Sequence, residues 1–231
     1  ILMHHNAMIN GYALGKQDFT YDSFRMIGQI YETPLAIGVR SDFPADDLKG
    51  LVEEIHKNPG KYKWTWAGQG GNTHFASYVF YNAAGIDPSE IVPCLTKGDS
   101  DSVVQVIGGT ADIAIAQGNA MEEYVKAGEL KCLGGSAEDT IIVGGKEVPS
   151  WKSAGYDATY NLRFFGFLPK ETPDDVFNAV EEVFETVVTS SEFAEAMAAQ
   201  GITPKWLPAD EALAAFEAEA INMNKIAEQM G

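Results

Sequence analysis

Residues 64–76 read Trp64-Thr-Trp-Ala-Gly-Gln-Gly-Gly-Asn-Thr-His-Phe-Ala76, and the order of residue types along them decides the fold class. The aromatic, β-branched run at 64–66 predicts a strand. Gly68, Gly70 and Gly71 turn the chain, and Asn72 or Thr73 offers a side-chain cap to a helix that opens with Phe75. A strand, a glycine turn and a helix start together form an anion site: the N–H groups of the first helical turn lie outside the helix's own ladder, and the helix dipole adds positive potential there. No Gly-Lys-Ser/Thr follows, and the dinucleotide fingerprint is incomplete. The expected ligand is therefore a carboxylate or similar small anion. The structural alternative is a plain β–α turn whose glycines only relieve strain.

Outward from this unit, strand and helix patterns alternate. Residues 26–39 hold two apolar runs around Thr33-Pro34. Residues 45–58 predict a helix with Asp46 and Asp47 in its first turn, a stripe of Leu48, Leu51, Val52 and Ile55, and a stop at Pro59-Gly60. Strands are expected at 91–95, 111–116 and 130–133, with helices at 101–107 and 119–126 between them. A block so ordered over 60–136 predicts a parallel sheet covered by helices. Residues 137–160 read as connecting loop. Phe164 to Leu168 form a strand, and two helices follow, one from about 172 with Pro173 at its first position, one over 209–230. The segments before 40 and after 163 lack a full sheet of their own, which predicts a discontinuous lobe, 1–39 with 163–231, and a second lobe, 40–162, joined by two crossings with a ligand cleft between.

Composition narrows the classes. Of 231 residues, 45% are hydrophobic and 21% charged, and Asp plus Glu outnumber Lys plus Arg by 33 to 16, a net charge of −17. Nucleic acid is excluded, because its binding needs a basic face; a small anionic ligand is not, because local backbone dipoles can oppose the global field. No apolar run reaches the roughly 18 residues of a bilayer span. Cys94 and Cys132 are too few for a disulfide framework and lack metal spacing. On the expected strand order they lie roughly 10–15 Å or more apart and stay unbonded, buried thiols.

Three stretches, in order, carry a resemblance. Gly68-Gln-Gly-Gly-Asn-Thr-His74, Leu95-Thr-Lys-Gly98 and Gly108-Gly-Thr-Ala-Asp112 resemble the periplasmic solute receptors of tripartite tricarboxylate transporters, the TctC or Bug family. Val148-Pro-Ser-Trp-Lys-Ser-Ala-Gly-Tyr156, Phe165-Gly-Phe-Leu-Pro-Lys-Glu-Thr-Pro173, residues 18–24 and Asn58-Pro-Gly60 are similar to family segments too, so the resemblance covers nearly the whole chain. It implies a type II periplasmic binding protein fold: α/β, with two doubly wound lobes closing on a small carboxylate that a membrane permease then receives. It also implies a monomer, periplasmic location, and neither cofactor nor catalysis. Departures occur at Trp151-Lys152 and at Arg163-Phe164. The family's first strand and a glycine loop that supplies half of its carboxylate site precede the segment matched by residue 1. The first lobe is therefore expected to be incomplete, and the chain alone to bind weakly or not at all.

The resemblance assigns ligand contacts to Gln69, Gly70, Gly71, Asn72 and Thr73. His74 either donates to the ligand or fixes the loop. Lys97, Gly98 and Asp99 open the next β–α loop on the same sheet edge, and Gln117 ends the third strand there; Asn119 is expected to cap the helix after it. His5 and Asn6 follow the opening strand, and Phe165 with Phe164 and Phe167 either walls the cleft or packs in the core. His4 and His5 are not a metal site, since neighbours in a strand point to opposite faces and no His-Glu-x-x-His or Cys/His cluster accompanies them. Two other classes share such anion loops: the effector-sensing domain of a transcription regulator, and an α/β enzyme acting on a carboxylated substrate. Neither a helix-turn-helix nor a Gly-x-Ser-x-Gly elbow is present in the sequence.

Overall fold

In a computed structural model that describes residues 1–198 and 202–230, the elements run in chain order as β1 (Leu2–His5), α1 (Ala7–Ala13), β2 (Phe24–Arg40), α2 (Leu48–Lys57), β3 (Lys63–Ala67), α3 (Asn72–Ala84), β4 (Val92–Thr96), α4 (Asp99–Ile107), β5 (Ile113–Gln117), α5 (Gly118–Lys126), β6 (Leu130–Gly135), β7 (Ile141–Val143), β8 (Lys146–Val148), β9 (Asn161–Pro169), α6 (Asp174–Val188), α7 (Ser191–Ala198), β10 (Thr203–Pro208) and α8 (Ala209–Met230). They fall into two compact units: Ile1–Thr33 with Leu162–Gly231, and Pro34–Asn161. Residues 34–39, which the sequence pattern groups with the first lobe, belong with the second unit because they pair with its strands β5 and β6.

The Pro34–Asn161 unit is built on a sheet in the order β4-β3-β5-β2-β6. β3 is parallel to β4 and to β5. The end of β2 runs antiparallel to β5, Leu35 opposite Gln117 and Val39 opposite Ile113, and antiparallel to β6 on its other side. The expected all-parallel block is thus corrected: an antiparallel strand from elsewhere in the chain separates the fourth strand, β6, from β5. This order puts four strand spacings, roughly 19 Å, between Cys94 on β4 and Cys132 on β6. Both thiols are free and half-buried rather than fully buried. Val103, Val106, Ala114, Ala116, Met121, Val125 and Leu130 fill the core under this sheet, each large aliphatic contributing about 1.5–3 kcal/mol of burial.

Other local departures have local causes. Asp47 is the N-cap of α2, its Oδ1 accepting from Gly50 N at 2.7 Å, so it precedes the first turn. α4 starts at Asp99, two residues early, and α5 at Gly118, which leaves Asn119 inside the helix rather than capping it. Pro173 is the N-cap of α6. Within the expected loop, β7 and β8 form a hairpin turned by Gly144 and Gly145 at φ of 59° and 76°. The helices α1 and α7 have no counterpart in the sequence-based expectation.

Ser136 holds the two ends of this unit together. Its fully buried Oγ accepts from Leu35 N at 2.8 Å and donates to the carbonyl of Tyr160. Its backbone N–H donates to Leu35 O and its carbonyl accepts from Tyr160 N, at 2.8 and 2.9 Å.

In the other unit β1 pairs antiparallel with β9, and β10 antiparallel with the first part of β2. Its core gathers the buried rings of Phe165 and Phe167 around Phe216 of α8, with centroids 4.8 and 6.4 Å from it. Among the described residues no helix is long and apolar enough to cross a membrane.

Candidate functional site

The three parallel strands β3, β4 and β5 end at Ala67, Thr96 and Gln117, and their carboxyl ends share one edge of the sheet. The loops after them lead into α3, α4 and α5, the arrangement in which α/β sheets bind ligands.

The loop after β3 is tightly held. Gly68 and Gly70 take φ of 84° and 81°, the left-handed region glycine tolerates. Gly71, the N-cap of α3, has ordinary φ but no room: a Cβ there would lie 2.6 Å from Ala67 O and 3.2 Å from Gly68 O. Thr73 Oγ1 accepts from Ala67 N at 2.8 Å, and Asn72 Oδ1 accepts from the buried Tyr160 hydroxyl at 2.7 Å. The expected side-chain cap from Asn72 or Thr73 is therefore corrected: both side chains are spent on fixing the loop to the scaffold. Across the edge, Gly68 N donates to Thr96 O at 3.2 Å, while the Thr96 hydroxyl donates to Trp66 O at 3.1 Å and accepts from Ser102, 2.7 Å away.

His74 is part of the same clamp. Its Nδ1 accepts from Gly70 N at 3.0 Å, which places the ring proton on Nε2. The ring lies 3.9 Å from the Trp66 ring, inclined by 34°, and meets Tyr78 edge-on at 5.3 Å. Of the two roles open in the sequence, loop fixing is the one this geometry displays.

Electrostatics separates the two helix starts. α3 carries no acidic residue in its first turn and no side-chain cap, and its ladder opens with Phe75 N to Gly71 O. α4 instead carries Asp99 and Asp101 in its first turn. Asp101 Oδ2 accepts from Lys97 N at 2.9 Å, the bond that chiefly holds its carboxyl below the usual range. Asp99 Oδ2 accepts from both Gln117 N and Gln117 Nε2, at 2.9 and 3.2 Å. The positive end of α4 is therefore already met by its own carboxylates. Lys97, Gly98, Asp99 and Gln117 do come together, lining a recess of about 710 Å³ with Asp101 and Asn119. Two carboxylates against one lysine make that recess a poorer anion site than the start of α3.

The candidates of the other unit lie on different footings. Asn6 is buried; its Nδ2 donates to Glu219 Oε1 at 2.5 Å and its N–H to Arg163 O at 3.0 Å. His5 accepts at Nδ1 from Ala7 N at 3.3 Å, and burial, with His4 beside it, pushes its pKa down to about 4. Phe165 is core, fully enclosed, with no surface left for a ligand. Among the described residues no group of three or more His, Cys, Asp or Glu side chains is placed to hold a metal. Sequence reasoning gave no role to Tyr160, Thr96 or Ser102: Tyr160 reaches Asn72 and Thr96 reaches Trp66 across the chain, and Ser102 takes part only through Thr96. Trp66, read only as strand, is also the platform for His74.

Residues 2–231 match the model of the tripartite tricarboxylate transporter family receptor. A curated relative from Bordetella pertussis, a protein of the UPF0065 group, is 27% identical over 216 residues, which is 88% of this chain but 62% of that protein. The chain thus spans about three fifths of the length of this relative. Among solved structures, the periplasmic binding protein BugD superposes with a TM-score of 0.82 at 21% identity, covering 99% of this chain and 77% of BugD. MatC of Rhodopseudomonas palustris, with bound malate, gives 0.79 at 18% identity over 97% of this chain and 78% of MatC. With residues 2–231 matched by its model, the chain belongs to the tripartite tricarboxylate transporter receptor family, and the superpositions give it the fold of a type II periplasmic binding protein.

Proposed function

We propose that the chain captures a small carboxylate in the periplasm and hands it, chemically unchanged, to the membrane subunits of a tripartite tricarboxylate transporter. The observation that carries this reading is the start of α3: an N-terminus without acidic residue or side-chain cap, behind a glycine loop whose polar side chains are occupied in holding its shape. Such a site recognises a carboxylate through backbone N–H groups and ordered water rather than through a salt bridge. Gln69, Gly70 and Gly71 with the first turn of α3 are the contacts this reading assigns; Lys97, Gly98, Asp99 and Gln117 shape the neighbouring rim.

Two structural relatives supply the probes to try first: MatC holds malate, and a second Rhodopseudomonas palustris protein, Rpa4515, holds adipate. Dicarboxylates are therefore the first probes. Calorimetry and thermal shift with malate, adipate and a panel of mono- and tricarboxylates, on this chain and on the gene's full product, test the reading. Saturable heat with at least one of them, the ligand recovered intact, is the expected result. No heat and no thermal shift across the panel would refute it.

A further inference from the structure

Three consecutive side chains in the first turn of α3 hold that turn, and they reach over different spans. Thr73 Oγ1 takes the N–H of Ala67, six residues away, and His74 Nδ1 that of Gly70, four away. Both bonds close within residues 67–74, so they fix the shape of the loop but not its orientation. The bond of Asn72 leaves the loop: its Oδ1 accepts from the hydroxyl of Tyr160, 88 residues on, at 2.7 Å, and both residues are buried. Gly68 N on Thr96 O ties down the strand side of the loop; Tyr160 ties down the helix side. Tyr160 is a fixed point for this purpose. Its N–H donates to Ser136 O at 2.9 Å, and its carbonyl accepts from the fully buried Ser136 Oγ. A tyrosine ring has only two rotatable angles, so the place of its hydroxyl follows closely from the backbone.

We infer that Tyr160 is a positioning residue for the carboxylate site: through Asn72 it sets the direction in which the N–H groups of the first turn of α3 point. This role rests on the reading of that turn as the anion site. A long cationic side chain can follow an anion by changing rotamer, but a backbone N–H cannot. A hydrogen bond weakens steeply once its angle falls below about 120°. Where an anion is held by several backbone donors of one turn, the pitch of the whole turn therefore decides the affinity. The bonds of Tyr160 to Ser136 use main-chain atoms of Tyr160, so removing its hydroxyl leaves them in place and releases only Asn72.

The test is a double-mutant cycle on the gene's full product: wild type, Tyr160→Phe, Asn72→Ala and the double variant, titrated in the calorimeter with malate, adipate and the carboxylate panel, with urea unfolding alongside. Tyr160→Phe is expected to bind about three- to tenfold more weakly at unchanged stoichiometry, and Asn72→Ala at least as weakly. The double variant should be no weaker than Asn72→Ala, because both changes break one bond. Asn72→Ala breaks that bond from its other side, so it reads the affinity effect even where Tyr160→Phe folds poorly. A residue that only supports the fold moves the urea midpoint and leaves the affinity of the folded protein unchanged. That result in either single variant overturns the inference and leaves the anion site standing. Losses that multiply in the double variant also overturn it, since Tyr160 then acts elsewhere than through Asn72. A wild type that gives no heat with any carboxylate overturns the reading of α3 and this inference together.

Discussion

Gly71→Ala is the sharpest probe of the site, because the structure fixes what the added methyl meets. The Cβ would sit 2.6 Å from Ala67 O and 3.2 Å from Gly68 O. Both obstacles are backbone, so no side-chain rotation relieves them. The Ala67 peptide is pinned through its N–H to Thr73 Oγ1, and Gly68 through its N–H to Thr96 O. The loop must therefore move by several tenths of an ångström or lose one of these bonds. Overpacking of this kind costs about 1–3 kcal/mol. At 1.4 kcal/mol per decade, that is about 5- to 150-fold, divided between the unfolding equilibrium and carboxylate affinity. Gly98→Ala is the matched control: it too stands at a helix N-cap on the same edge, but its φ of 168° is extended and no atom lies within 4 Å of its Cβ. Urea unfolding and malate calorimetry on both variants provide the readout. Gly71→Ala is expected to lose at least 1 kcal/mol in the sum of the two, Gly98→Ala less than about 0.5 kcal/mol. Equal, small losses would refute the reasoning that close backbone approach at residue 71 shapes the site.

Removing the loop acceptor in His74→Phe leaves Gly70 N–H without its 3.0 Å bond and is expected to weaken carboxylate binding by about 1 kcal/mol, measured by calorimetry. Ser136→Ala strands the N–H of Leu35 and the carbonyl of Tyr160; a loss of about 2–4 kcal/mol in urea unfolding follows from two buried groups left unpaired. His5, held near 4 by burial against an unfolded value near 6.5, binds its proton more readily in the unfolded chain. Its contribution is thus complete above about pH 6.5 and is lost as pH falls towards 4. Partial exposure reduces this to about 1–2 kcal/mol, and His5→Asn, which keeps an acceptor but does not titrate, should flatten the stability profile between pH 7 and 4.5. Thiol titration should find two reactive groups only after denaturation: burial pushes Cys132 up to about 12, so a native chain at pH 8 whose Cys132 reacts as fast as a free thiol would contradict its placement beside Met121.

Local chemistry makes much of this fold legible. The aromatic run before Gly68, the helical stripe Leu48–Leu51–Val52–Ile55 and the glycine stops after α4 and α5 signal their elements within a few residues. Pro34 misleads, because proline ordinarily breaks strands; here it falls between the residues of β2 that pair with β10 and those that pair with β5. The β7–β8 hairpin is written in the sequence as Ile-Ile-Val-Gly-Gly-Lys-Glu-Val, a two-glycine turn between short strand-forming runs, but the polar segment around it masks the signal. α1 has only seven residues and a glycine within it, too little for periodicity to register. The place of β2 beside β6, and the Tyr160 hydroxyl on Asn72, join residues about 90 positions apart, and nothing local announces either. At the site, composition locates both glycine loops but cannot rank them. Ranking requires two acidic residues to be seen in the first turn of α4, Asp101 turned back onto Lys97 N and Asp99 onto Gln117.

Ser136 carries a consequence for how this chain was assembled and how it can be rebuilt. Because one buried serine grips both Leu35 and Tyr160, the segment between them leaves and rejoins the polypeptide at a single point. The 34–161 unit is therefore an inserted module whose termini are already closed into a ring, and the loop-closure entropy of a long excursion is met inside it. A gene fragment encoding 34–161 should fold as a free-standing domain, accept new termini at the Gly144-Gly145 turn when its old ones are linked, and transplant into a related scaffold with two seams lying side by side.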